Sequence, residues 1–195
     1  MVLGITGGVG AGKSTVLDIL SSKYGYEIIR TDDVAKQIMR ESRECLSKLI
    51  DYFGKDILND SGELDKDRYS AILYADKKNR SISDSIIHPM VWDEVKYIID
   101  RAESKNYAIE TALPSELFKS FCDEVIFIKA DTKVRIERLI KNRNYTEDYS
   151  RKIISSQLSD ECFMKFSDIV LDNSGSIKDI EKELEGLMRL SLIHI

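Results

Sequence analysis

The chain has 195 residues, 43 % of them apolar, which is enough for one compact α/β domain with a sizeable core. Charged residues make up 32 % with both signs mixed, and the formal charge is −5, so no nucleic-acid surface is expected. There is no run of 18 apolar residues to span a membrane. No basic leader opens the chain, and the three cysteines (Cys45, Cys122, Cys162) have no metal-ligand spacing. A cytoplasmic protein with reduced, mostly buried thiols is therefore expected.

In chain order, Val2-Leu3-Gly4-Ile5-Thr6 is a short apolar run ending in glycines and predicts a buried strand. Val16, Ile19, Leu20 and Tyr24 recur at helical spacing and predict a helix from Lys13 to Tyr24. A second strand, Glu27–Arg30, follows. This β-loop-α-β opening marks the start of a parallel sheet. The stretch from Asp33 to residue 104 reads as mostly helical. Helical patterns at 47–53 and 66–75 are separated by Gly54 and the turn Asn59-Asp60-Ser61-Gly62. A longer helix is expected to start at Pro89, with Pro in its first turn and His88 a packed or hydrogen-bonded side chain. Tyr107–Thr111, Glu124–Ile128 and Ile169–Leu171 predict the remaining strands. Thr132 and Thr146 are expected to cap two helices joined by a polar turn, and a last helix is expected over 176–188. The apolar tail 190–195 carries no functional reading.

The chemistry lies in Gly7-Gly8-Val9-Gly10-Ala11-Gly12-Lys13-Ser14, which fits G-x-x-x-x-G-K-[ST] after a strand and before a helix. Glycines let the backbone curl so that amides converge on phosphate oxygens, and the helix start adds its positive end. Lys13 is placed to reach the β- and γ-phosphates, Ser14 to ligate Mg²⁺, and Thr15 to reach the α-phosphate. The nucleotide-binding set is Gly8, Gly10, Ala11, Gly12, Lys13, Ser14 and Thr15. A GTPase would ordinarily carry Asn-Lys-x-Asp, yet no Asn here precedes a Lys; the D-x-x-G match Asp172–Gly175 follows the last strand and is read as chance. A small-molecule kinase needs a group near the acceptor hydroxyl and arginines over the phosphates. Asp32, just past the second strand, is the candidate base; the competing reading is that Asp32 or Asp33 caps the next helix. Arg135, Arg138 and Arg143 on or after the helix from Thr132 are the candidate arginines, against the reading of a solvated charged face.

Taken together, these motifs resemble the dephospho-CoA kinase family over nearly the whole chain. Gly4 to Thr15 is similar to that family's opening, and Ile28-Ile29-Arg30-Thr31-Asp32 to its second strand and acceptor-side aspartate. Phe53-Gly54, Gly62-x-Leu64-Asp65, Ile87-His88-Pro89, Gln157, Ser167-Asp168 and Asn173-x-Gly175 follow in the family's order. The resemblance implies a three-layer α/β/α P-loop NTPase fold with a five-stranded parallel sheet. It also implies one kinase domain over 1–195, with a helical acceptor-binding region at about 33–105 and a lid at about 132–160. The implied reaction moves the γ-phosphoryl of ATP, with Mg²⁺, to the ribose 3′-hydroxyl of dephospho-CoA. The implied catalytic set is Asp32 as base with Lys13, Arg143 and Arg138. Asp32, Leu64, His88 and Glu110 face the acceptor, and the Asn173 loop lies against adenine. The implied partners are ATP and dephospho-CoA, in a monomer or small homo-oligomer without nucleic acid or membrane. The chain departs from the family pattern in places. Arg30-Thr31-Asp32 stands where the family often has Asp-x-Asp, and Leu64-Asp65-Lys66 where it has Leu-Asp-Arg. Leu113-Pro114-Ser115-Glu116-Leu117 replaces Pro-Leu-Leu-Phe-Glu, with part of that role falling to Glu110 through an Mg²⁺-bound water. A nucleoside-monophosphate or small-metabolite kinase and a non-catalytic ATP-binding switch are the alternative functions.

Overall fold

The computed structural model describes residues 1–101 and 106–193, with side chains to 189. The tail end 194–195 and the expected end of the helical stretch at 102–105 lie outside the described residues. The chain divides into two compact units, Met1–Ile28 with Glu103–Ile195, and Ile29–Ala102.

The first unit is built on five parallel strands. They are β1 (Val2–Thr6), β2 (Glu27–Arg30, running across the unit boundary), β3 (Tyr107–Thr111), β4 (Glu124–Lys129) and β5 (Ile169–Asp172), in the order β2-β3-β1-β4-β5. Val2 is in register with Tyr107, Leu3 with Glu124, and Ile126 with Ile169. The central strands are buried on both faces, which is why they read as near-continuous apolar runs. Along β4 the alternation separates two cores. Ile126 and Ile128 join Leu3, Ile5, Val16, Leu20, Ile180 and Leu184, under helices α1 (Lys13–Tyr24) and, further along, α10 (Ile177–Ile193). Phe127 instead stacks on Phe163, with ring centroids 5.1 Å apart. Each fully buried aliphatic or aromatic side chain of this kind contributes about 1.5–3 kcal/mol. Gly4 lies mid-strand because a Cβ there would come within 2.6 Å of the Phe118 ring and 2.8 Å of Cys122 Sγ.

In the second unit, α2 (Thr31–Glu41), α3 (Arg43–Phe53), a 3₁₀ turn (Lys55–Ile57), α4 (Lys66–Ala75) and α5 (Lys77–Arg101) enclose Cys45, Leu49, Ile57, Tyr69, Ile87, Val91 and Val95. The Tyr69 and Ser83 hydroxyls meet at 2.6 Å in this core, so neither polar atom is left unpaired. The turn 59–62 forms as expected, with Asn59 Oδ1 accepting from the Ser61 and Glu63 amides.

Pro89 does not start a helix. It sits inside α5, which begins at Lys77. Proline forfeits the bond to the Ser85 carbonyl and costs an isolated helix interior about 3 kcal/mol. Here Ile87, Val91 and Val95 are buried on either side of it and hold the helix continuous. Nor is His88 packed: it is exposed, with Nε2 3.9 Å from Asp84 Oδ1. Because Pro89 is itself exposed, Pro89→Ala removes no packing and restores one helical bond. We expect denaturant unfolding to show a gain of about 1–2 kcal/mol, the helix gain reduced by the freer unfolded chain.

The remaining helices belong to the first unit: α6 (Glu116–Ser120), α7 (Thr132–Arg143), α8 (Glu147–Ser155) and α9 (Asp160–Lys165). Ser115 and Ser159 cap α6 and α9, two helices too short to show a sequence period. Thr146 caps α8 as expected, accepting from the Tyr149 amide at 3.2 Å. At α7 the cap position falls on Asp131, without a side-chain bond, and Thr132 is the first helical residue. The three cysteines are free. Cys45 is buried, Cys122 half-buried and Cys162 exposed, so burial of the thiols is not uniform: Cys162 lies on the open side of α9. Burial pushes the Cys122 thiol up to about 12, which makes it inert. Among the described residues no helix is long and apolar enough to cross a membrane.

Candidate functional site

The loop from Gly7 to Gly12 joins β1 to α1 at the end of the central strand. Gly10 (φ 77°) and Gly12 (φ 94°) occupy the left-handed region, which an L side chain enters only with strain. Gly12 is the cap residue of α1 and makes no side-chain bond, so the first-turn amides of α1 face outward from the helix end. Converging amides at a helix N-terminus form an anion site. Ala11 is buried in the loop, and in the first turn of α1 Ser14 is exposed and Thr15 half-buried.

Lys13 is tightly placed. Its Nζ donates to the Gly7 carbonyl at 2.9 Å and lies 3.4 Å from Glu110 Oε1, with both side chains largely buried. Glu110 reaches it because β3 runs beside β1 with Glu110 in register with Ile5. The structure therefore brings Glu110 to Lys13.

The outer side of the loop is held by residues from α7, the α8–α9 connection and the turn after β5. Arg138 donates to the Ala11 carbonyl (3.2 Å) and the Asn173 carbonyl (2.8 Å), and Asn173 Nδ2 donates to the same Ala11 carbonyl at 2.8 Å. Asn173 is only 4 % exposed, and its amide donates to the Lys129 carbonyl. A Cβ on Gly12 would run into Asn173 Nδ2. The D-x-x-G match begins on the last residue of β5 and runs into a turn, with Asp172 Oδ1 accepting from the Ser174 amide at 2.8 Å.

Arg135 is 7 % exposed. Its Nε donates to the Val9 carbonyl at 2.9 Å and its terminal nitrogen to Gln157 Oε1 at 2.8 Å, while Gln157 Oε1 also accepts from the Val9 amide at 2.9 Å. Burial lowers the guanidinium's pKa from its ordinary value, opposed by nearby Asp160; the group stays charged. The sequence reading offered Arg135 as one of three candidate arginines, left it out of the catalytic set that the resemblance implies, and gave Gln157 no role. The available signal was spacing, since Arg135 and Arg138 are three apart and share a face of α7. Arg143 is the last residue of α7, exposed and outside this bracket. A solvated charged face fits Arg143 alone of the three.

Asp32, Leu64 and His88 belong to the second unit. Asp32 is exposed in the first turn of α2; the cap position is Arg30, and Asp33 pairs with Lys36 at 2.8 Å. Neither aspartate is the cap residue. Leu64 forms an antiparallel bridge to Leu58, and Asp65 caps α4 by accepting from the Asp67 and Arg68 amides.

Comparison with known proteins agrees with this geometry. The sequence model of the dephospho-CoA kinase family matches residues 1–179. A dephospho-CoA kinase of Corynebacterium glutamicum is 34 % identical, over 95 % of this chain and 94 % of its own, and one of Lactobacillus johnsonii is 34 % identical over 96 % of each. Among solved structures, TT1252 from Thermus thermophilus superposes with a TM-score of 0.79 at 25 % identity, covering 97 % of this chain and 96 % of its own. Dephospho-CoA kinase from Campylobacter jejuni gives 0.70 at 22 %, covering 100 % and 98 %. A shikimate kinase from Acinetobacter baumannii shares the fold at 0.53 and 14 % identity, over 97 % and 93 %. The match of the family model through the loop, the Gln157 region and the Asn173 turn, with relatives aligned nearly end to end, makes the chain a member of the dephospho-CoA kinase family.

Proposed function

We propose that this chain transfers the γ-phosphoryl group of ATP to the ribose 3′-hydroxyl of dephospho-CoA, giving CoA and ADP as the final step of coenzyme A synthesis. Family membership supports the reaction, and the single structural observation that carries the site is the glycine loop held from outside by Arg135, Arg138, Gln157 and Asn173. With the Val9 and Ala11 carbonyls captured from outside, the amides at the start of α1 are left to meet a triphosphate. Lys13 binds the β- and γ-phosphates, Thr15 reaches the α-phosphate, and the Asn173 turn flanks the adenine. Arg143 covers the transferring group, whereas Arg138, expected beside it, is engaged by the Ala11 and Asn173 carbonyls and holds the loop from outside. Asp32 accepts the proton of the 3′-hydroxyl as its oxygen bonds to the γ-phosphorus. The bond from phosphorus to the β,γ-bridging oxygen breaks, and that electron pair leaves on ADP. Leu64 and His88 belong to the acceptor side. Positioning and electrostatics supply most of the rate.

The residues present suit Mg²⁺. Ser14 offers an exposed hydroxyl and Glu110 a carboxylate, both hard oxygen donors, and no cluster of three or more His, Cys, Asp or Glu side chains exists among the described residues. Mg²⁺ is ordinarily held by few protein oxygens together with substrate phosphates, which matches such a sparse set. Bound there, the ion neutralises charge on the phosphoryl oxygens. The cytoplasm, where thiols stay reduced, suits the free cysteines.

The test is ADP release from ATP with a panel of acceptors. Release is expected to depend on dephospho-CoA. Equal turnover with a nucleoside monophosphate would reassign the acceptor, and ATP binding without any acceptor-dependent release would reduce the protein to a nucleotide-binding module.

A further inference from the structure

Gly8 and Gly10 fall at positions where the phosphate-loop pattern accepts any residue, and Gly8 is not in the left-handed region. Backbone freedom therefore does not explain Gly8. What explains it is Arg135: a Cβ on Gly8 would lie 2.7 Å from the guanidinium carbon, and one on Gly10 would lie 2.8 Å from the Arg135 carbonyl. At Gly8 a buried charged side chain thus occupies the space that an ordinary residue would fill, and at Gly10 the α7 backbone does.

That side chain reaches the loop's outer turn through Nε and Gln157 through one terminal nitrogen. Arg135 donates to the carbonyl of Val9, and Gln157 Oε1 accepts from the amide of Val9, so both backbone groups of one residue are captured. The two captors are bonded to each other at 2.8 Å, closing a ring of Val9, Arg135 and Gln157. Burying a guanidinium is costly unless its donors are satisfied, and its pKa is lowered by that burial, so the bracket is maintained against a standing cost.

We infer that Arg135 and Gln157 are a pair of positioning residues that set the curvature of the phosphate loop through Val9, and so set affinity for the nucleotide without touching it. This rests on the kinase reading of the loop. The two residues also fasten both ends of the 135–157 segment to the loop.

The test is equilibrium titration of the full chain with a non-hydrolysable ATP analogue and Mg²⁺, with no acceptor present, beside the nucleotide-free thermal midpoint. Gln157→Ala removes the shared acceptor and is expected to raise the analogue's Kd about tenfold, measured well below the nucleotide-free midpoint, which falls as the buried Arg135 donor and the Val9 amide lose their partner. Gln157→Glu keeps the acceptor oxygen and places its charge against Arg135; its Kd is expected within about threefold of wild type. Gly8→Ala displaces the guanidinium and is expected to weaken binding at least as much as Gln157→Ala. An unchanged Kd in Gln157→Ala, or a Gln157→Glu variant as weak as the alanine, overturns the inference and leaves the kinase reading standing. A wild-type chain that fails to bind the analogue overturns both.

Discussion

Lys13→Ala is expected to lower acceptor-dependent ADP release by about two to three orders of magnitude, the usual effect of deleting one preorganised donor to a transferring group. Lys13 is no ordinary surface lysine. It is held between the Gly7 carbonyl at 2.9 Å and Glu110 at 3.4 Å, so its ammonium stays in place rather than sampling solvent. Alanine leaves the Glu110 carboxylate without that partner in a largely buried setting, so some stability is lost too. Lys13→Arg separates the two effects. It keeps a positive charge for Glu110, but its planar fork does not fit a space shaped for a compact ammonium. We expect its thermal midpoint to stay near wild type while turnover remains low. Turnover within about tenfold of wild type in Lys13→Ala would remove Lys13 from the reaction.

Asp32→Asn is expected to reduce kcat by at least about a hundredfold, in line with loss of a positioned proton acceptor. Binding of ATP, measured without acceptor, is expected to be unchanged. The structural alternative makes a different forecast. Asp32 lies in the first turn of α2 behind the cap residue Arg30, where a carboxylate favours the helix dipole by about 0.3–1 kcal/mol. Were that its whole contribution, asparagine would cost stability of this order and leave kcat alone. Steady-state kinetics beside denaturant unfolding distinguish the two. Asp32 directly follows β2, and in parallel α/β sheets ligands bind beyond the carboxyl ends of the strands, which is the reason for expecting the kinetic outcome.

Both variants leave the Arg135–Gln157 bracket intact, so they test the chemistry separately from the loop's shape. A low kcat with normal nucleotide affinity points to Asp32, and a weakened affinity with an intact Lys13 points to the bracket.

What the sequence determined by itself is what neighbours within a few residues decide. Val2–Thr6 is apolar, short and followed by glycines, and is a central strand. The helix bounds Lys13–Tyr24 and Lys66–Ala75 agree with the sequence reading, since apolar spacing and flanking turns specify them locally. The phosphate loop was legible because its backbone demands glycine at Gly12, where φ is positive. Only the tertiary structure decided the rest. Pro89 reads as a helix start, yet burial of Ile87, Val91 and Val95 carries α5 through it, because packing outweighs one missing bond. Asn173 carries no sign in the chain that its side chain would hold the Ala11 carbonyl, a contact between residues far apart in sequence. Arg135, Arg138 and Arg143 are chemically alike, and the turn of α7 against the loop sends the first two inward and leaves the third exposed. Sequence patterns record which side chains prefer burial or a turn; which distant groups they meet depends on how helices rotate and pack on the sheet, and that is settled by the whole core at once.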